Sequence, residues 1–111
     1  MEPKLVEEIR RLVLELVGHR YAEIVGDGRG GRLSEVEIRT AIAEYGRTLI
    51  PLPDEAWAKV DVYERIGHGV VLGVDVPLWT AEEGRSDLTL SLEAVKDADG
   101  FHIEIEDLHV L

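Results

Sequence analysis

The spacing of apolar residues changes period near residue 58, and no other feature restricts the fold as strongly. Before that point Leu5, Val6, Ile9, Leu12, Val13, Leu16 and Val17 recur every three or four residues, with Glu7, Glu8, Arg10, Arg11 and Glu15 between them. This spacing predicts an amphipathic helix over 3–17, with Pro3 in its first turn and Gly18 at its end. After it Ala58, Val60, Val62, Glu64 and Ile66 alternate with Lys59, Asp61, Tyr63 and Arg65, the period of a half-buried strand. Helical and strand periods cannot share a segment, so helices precede and strands follow.

A second helix begins with its own signals. Ser34 stands at the N-cap with Glu37 three residues on, a capping box, while Leu33 and Ile38 are spaced for a hydrophobic staple. Ile38, Ala41, Ile42 and Tyr45 form its apolar stripe and Gly46 ends it. Between the helices, Tyr21, Ile24 and Val25 supply at most one helical turn before Gly26-Asp27-Gly28-Arg29-Gly30-Gly31, which reads as a mobile connector. Pro51 and Pro53 make 47–53 extended, with a helical turn over Pro53–Trp57.

Three more strands follow, on Val70, Leu72, Val74, Val76 and Leu78, on Leu88, Leu90, Leu92 and Ala94, and on Phe101, Ile103 and Ile105. Gly67-His68-Gly69 is a turn and Asp97-Ala98-Asp99-Gly100 a hairpin connection. Ile105 is followed by Leu108 and Val110, so the apolar parity slips and predicts a β-bulge near Glu106-Asp107. The expected architecture is a single α+β domain over 1–111. Two N-terminal helices pack on one face of a four-stranded antiparallel meander.

The charge is as unevenly placed as the period. Residues 1–50 hold 9 acids and 8 bases, while 51–111 hold 14 acids and 4 bases, within a formal net charge of −11. On the strands Asp61, Asp75, Asp87, Glu93, Glu104 and Glu106 take the parity opposite the core, with Lys59 and Arg65 as cations and Tyr63 and Trp79 as aromatics. The hairpin sets Glu93 opposite Glu104 or Glu106, and like charges directly opposite destabilise a sheet pair. A solvated face explains such acids. A binding face for a basic protein also explains Tyr63 and Trp79 as anchors in an acidic surround.

Chemistry is harder to place. Gly26-x-Gly28-x-x-Gly31 matches the dinucleotide pattern, but no parallel strand precedes it, and no cofactor is expected. His102, Glu104 and Glu106 alternate on one side of a strand, with His109 beyond, yet nothing supplies supporting partners for a metal. The stretch Glu82–Asp87 lacks EF-hand spacing and reads as a strand connection in which Ser86 or Asp87 bonds the local backbone. Glu64 and Asp75 are the carboxylates whose pKa a cavity would raise, and no nucleophile, base and oxyanion set can be assembled. No catalytic residue is therefore assigned. With no cysteine there are no disulfides or thiol chemistry. So acidic a chain is not expected to hold nucleic acid. The absence of an apolar leader or span points away from a membrane and toward the cytoplasm.

Tyr45-Gly46 with Pro53, Leu78-Trp79-Thr80, Glu83-Gly84, Ser86-Asp87-Leu88-Thr89-Leu90 and Ile105–Leu111 resemble a small uncharacterised bacterial domain family. That family implies no activity. The order of elements is also similar to cystatin-like and NTF2-like domains, which implies a cone-shaped pocket or a dimer through the sheet. Small acidic domains of this sort resemble immunity proteins that neutralise basic toxins. Three functional readings follow. The first is a non-enzymatic module that engages a basic protein through Asp61, Tyr63, Asp75, Trp79, Glu93, Glu104 and Glu106. The second is a small-ligand binder or enzyme with a pocket between helices and sheet. The third is a homodimer joined through the sheet, in which Lys59, Arg65 or Arg85 would have to reach across.

Overall fold

In the computed structural model, which describes residues 1–65 and 71–111, the change of period divides the chain into a helical layer and a sheet. Helix α1 (Pro3–Val17) buries Leu5, Ile9, Leu12, Val13 and Leu16, while Leu14, off the stripe, is exposed. Its end is a Schellman motif. Arg20 N donates to Glu15 O at 2.9 Å and His19 N to Leu16 O at 3.1 Å, and His19, rather than Gly18, takes the left-handed conformation at φ 59°.

The helical turn expected after it is helix α2 (Tyr21–Gly26), which buries Tyr21 and Ile24. Helix α3 (Glu35–Tyr45) starts at the capping box, with Glu37 N donating to Ser34 Oγ at 3.1 Å and Ser34 N to Glu37 Oε1 at 3.0 Å. Gly46 ends it in the left-handed region.

The glycine segment between α2 and α3 is no free connector. Ile105 N donates to Arg29 O at 2.8 Å, which ties the loop to the edge of the sheet. A Cβ at Gly31 would overlap the Ile105 carbonyl, so only glycine allows that approach. Arg29 itself is buried, its guanidinium bonded to Glu15 (2.7 and 2.9 Å) and to Asp27 (2.8 Å). These ion pairs are invisible to pattern reading because glycine and arginine in a loop look like solvent-facing residues.

Among the described residues the sheet has five strands where alternation predicted four. Strand β1 (Leu49–Ile50) arises in the proline segment and pairs with β3, Leu49 opposite Thr80. A 3₁₀ helix over Asp54–Lys59 extends the expected helical turn through Ala58 and Lys59, so the next strand is only β2 (Asp61–Glu64). Lys59 therefore lies off the sheet, and Glu64 at the end of β2 is exposed. Strands β1 and β2 pair with different stretches of the same edge of β3 (Val71–Thr80), and β4 (Gly84–Asp97) and β5 (Gly100–Val110) follow, all antiparallel. The Gly67-His68-Gly69 turn, with Ile66 and Val70, lies outside the described residues.

The inward face of the sheet carries Val74, Val76, Leu78, Leu88, Leu90, Leu92, Ala94, Ile103 and Ile105, all buried against the helices. Among the described residues these side chains pack into one core against the helices. Ser91 pairs with Asp107 and Leu92 with Ile105, which makes Glu106 the extra residue of the predicted bulge. The bulge returns Leu108 to the buried side.

Candidate functional site

The outward face of β2–β5 is assembled in two adjacent rungs. In one, Asp61 pairs with Asp75, Asp75 with Ser91, and Ser91 with Asp107. In the next, Tyr63 pairs with Gly73, Gly73 with Glu93, and Glu93 with Glu104. The register thus resolves the open pairing in favour of Glu104. It sets two like-charged pairs directly opposite, Asp61 with Asp75 and Glu93 with Glu104. Each repels by an amount of the same size as the ~0.2–1 kcal/mol that an opposite pair contributes.

Neutralisation on this face is partial and specific. Ser91 Oγ donates to Asp75 Oδ1 at 2.8 Å. Arg65 reaches across the strands, with Nη2 2.5 Å from Glu106 Oε1 and Nη1 3.6 Å from Glu93 Oε2. Glu106 Oε1 is buried and meets Arg65 as an ion pair rather than as an aligned hydrogen bond. The Arg65 guanidinium also lies 5.9 Å from the Tyr63 ring centre, and proximity to Tyr63 first and then to Glu106 raises its pKa. Tyr63 lies over Gly73, where a Cβ would collide with the ring, so a glycine in mid-strand makes the seat for an exposed aromatic.

The bulge adds to the acidity. As the extra residue, Glu106 joins Asp107 on this side, and both line a groove with Tyr63, Arg65 and Ser91. Six of the seven residues expected from parity therefore converge: Asp61, Tyr63, Asp75, Glu93, Glu104 and Glu106. Trp79 does not. It pairs with Ile50 and Arg85, six residues along β3 from the Gly73 rung or about 20 Å. Asp87 likewise stands near a break in the β3–β4 register, where its amide donates to the Tyr45 hydroxyl at 3.2 Å. Ser86 Oγ accepts from the Leu88 amide at 3.2 Å, the local backbone role its position suggested, and donates across the strand pair to the Leu78 carbonyl at 2.7 Å.

Parity reading overlooked Arg65 as the hub of the face, and it overlooked Asp107. The predicted bulge already contained the second, since one extra residue turns 107 outward. Nothing in the pattern shows which carboxylates one arginine will share.

The His102-x-Glu104-x-Glu106 string does not gather ligands. His102 Nε2 lies 3.4 Å from Glu104, His109 Nδ1 lies 3.1 Å from Asp107, and Glu106 is taken by Arg65. Among the described residues no three His, Asp or Glu side chains are placed to hold a metal ion. Among the described residues no helix is long and apolar enough to cross a membrane.

Compared with known proteins, residues 13–111 match the model of a family described as a domain of unknown function (DUF7668). The search of curated proteins and the search of solved structures each find no match.

Proposed function

We propose, for a chain that belongs to the DUF7668 family of unknown function, that it is a non-enzymatic binding module whose acidic sheet face docks a basic protein. The observation that carries this reading is the pair of neighbouring rungs and the bulge that place Asp61, Asp75, Glu93, Glu104, Glu106 and Asp107 around Tyr63, with Arg65 paired to Glu93 and Glu106 and Arg32 lining the same grooves. A face of this sign raises the encounter rate with a cationic partner and rejects an anionic one. Tyr63 offers the rigid amphipathic contact that interface centres favour. The partner is a protein with a basic patch, and the resemblance to immunity proteins that neutralise basic toxins belongs to the same reading. A homodimer through this face is disfavoured by its own charge, since Arg65 is already engaged within the chain.

The test is association kinetics against a panel of proteins of pI above about 9, at low and moderate salt. Binding should weaken as salt rises, and joint reversal of Glu93 and Glu104 to lysine should lower the association rate by roughly tenfold or more. Reversal of Glu7 and Glu44 on the helices makes the same change in net charge and should leave the rate within about threefold. Equal loss from both double variants would mean that net charge matters and this face does not. Self-association detected by light scattering, weakened by the Glu93 and Glu104 reversals, would replace the basic partner with a second copy.

A further inference from the structure

Where α1 turns into α2, a cleft of about 380 Å³ opens between these helices, α3 and β1. Leu16, Ile42 and Leu49 give it an apolar floor. His19, Arg39 and Arg47 line it together with Tyr21 and Thr48, and no carboxylate does. In a chain of formal charge −11, this local sign is the reverse of the whole.

Carboxylates touch the rim only from outside. Glu35 accepts one bond from Arg39 Nη2 at 2.6 Å, and Glu82 accepts from the Thr48 amide and hydroxyl at 2.9 and 3.0 Å. A guanidinium carries five N–H donors, so most of those on Arg39 remain. Among the described residues, the hydrogen bond made by Arg47 is a long one of 3.4 Å to the carbonyl of its neighbour Gly46. The Tyr21 ring stacks on His19 at 5.7 Å between centres and lies 5.9 Å from the Arg39 guanidinium. Burial pushes the Tyr21 hydroxyl pKa up.

His19 is the second, independent observation. It occupies the left-handed position of the α1 cap at φ 59°, where glycine is the favoured residue and where backbone strain is carried. That strained position sets its ring on Tyr21 at the cleft.

We propose that this cleft binds a small organic anion, a carboxylate or phosphate monoester with a flat apolar body. The body rests on Ile42 and Leu49 beside the His19 and Tyr21 rings. The anionic head takes bidentate bonds from Arg39 and Arg47, the geometry in which arginine recognises either group. The volume falls within the roughly 300–1,000 Å³ of small-molecule sites. This site lies among the helices and does not depend on the acidic sheet face.

Backbone-amide NMR titration of the whole chain with benzoate, phenyl phosphate and neutral benzamide tests the proposal. Either anion should give saturable shifts centred on His19, Tyr21, Ala43 and Thr48, with benzamide at least about tenfold weaker. The benzoate and phenyl phosphate arms separate a carboxylate from a phosphate head. Arg39→Gln and Arg47→Gln should each weaken binding about tenfold, and Arg85→Gln on β4 should not. His19→Gly separates binding from folding. It relieves the left-handed strain, so the melting temperature should hold or rise while affinity falls several-fold. Scattered shifts, equal binding of benzamide, indifference to both arginine variants, or no saturation by either anion up to about 10 mM would overturn the proposal.

Discussion

Replacing Arg29 by methionine asks whether the glycine segment is held by a buried ion pair or merely drapes over the sheet. The Arg29 side chain is 5% exposed, and it meets Glu15 at 2.7 Å and Asp27 at 2.7 Å. Methionine keeps much of the apolar stem and removes the charge. Breaking a fully buried pair costs about 3–5 kcal/mol, chiefly through the charge left behind. Here the orphaned partners retain some water, with Glu15 16% and Asp27 43% exposed. The expected loss therefore sits at or below the lower end, about 2–3 kcal/mol. For a chain of this length that lowers the melting temperature by roughly 10–15 °C at neutral pH. Glu15→Gln should cost less than Arg29→Met, because Asp27 still pairs with the guanidinium and the glutamine carbonyl can still accept from it.

The pH dependence supplies a second readout. The bond from Arg29 holds the Asp27 carboxyl below its ordinary value. A depressed folded-state pKa contributes stability that is present above the unfolded value, near 4, and is lost as pH falls through the folded value. Wild type should therefore lose stability faster than Arg29→Met below about pH 4, so the gap between them narrows. Thermal melts by circular dichroism from pH 7 to 3 measure both effects. A loss of less than about 3 °C at pH 7, or a gap that does not change with acid, would refute the buried pair as the fastening of this loop.

Gly31→Ala should destabilise by about 2 kcal/mol or more, from a left-handed φ and a collision with the Ile105 carbonyl. Gly26→Ala, with open space at its Cβ, should be neutral or mildly stabilising; urea melts of the two variants make the comparison. Ser34→Ala removes one half of the capping box and should cost about 1 kcal/mol in the same assay. Glu104→Lys places a cation opposite Glu93 and should raise stability by a few tenths to about 1 kcal/mol, less at high salt. The same change should slow association with a basic partner, so a variant that is more stable yet binds unchanged would count against the acidic face as the docking surface.

Parity made most of this sheet legible. The inward leucines and valines, the bulge at Glu106 and six of the proposed contact residues follow from counting alternate positions, because a strand leaves its side chains no third direction. Counting failed where a short element intervenes. The 3₁₀ helix captured Ala58 and Lys59 since Pro53, Asp54 and Glu55 favour a helical start, and the two-residue β1 is too short to show a period. At the end of α1 the stop at Gly18 was legible, since that residue is the C-cap, but the left-handed residue one position on, His19, was not. The Arg29 pairs and the Arg65 hub were hidden for a different reason. Long-range partners depend on how loops and edges pack, and a single sequence carries no record of that.

The two layers of the chain handle charge in opposite ways, and the contrast bears on function. On the helices, carboxylates and arginines interleave: Arg11 with Glu15, Arg20 with Glu23, and Arg39 with Glu35 are local pairs one turn apart. That mixture is enough to keep a surface soluble. The outer sheet face meets the same solvent and yet sets Asp61 against Asp75 and Glu93 against Glu104, with Arg65 shared between Glu93 and Glu106. Solubility alone does not call for that repulsion, because lysines at alternate outward positions would serve as well and would strengthen the cross-strand pairs. A partner that brings its own cations would relieve the repulsion on docking, so part of the binding free energy would come from strain already present in the free sheet. Salt should then act in opposite directions on the two states, stabilising the free protein by screening the like pairs while weakening the complex.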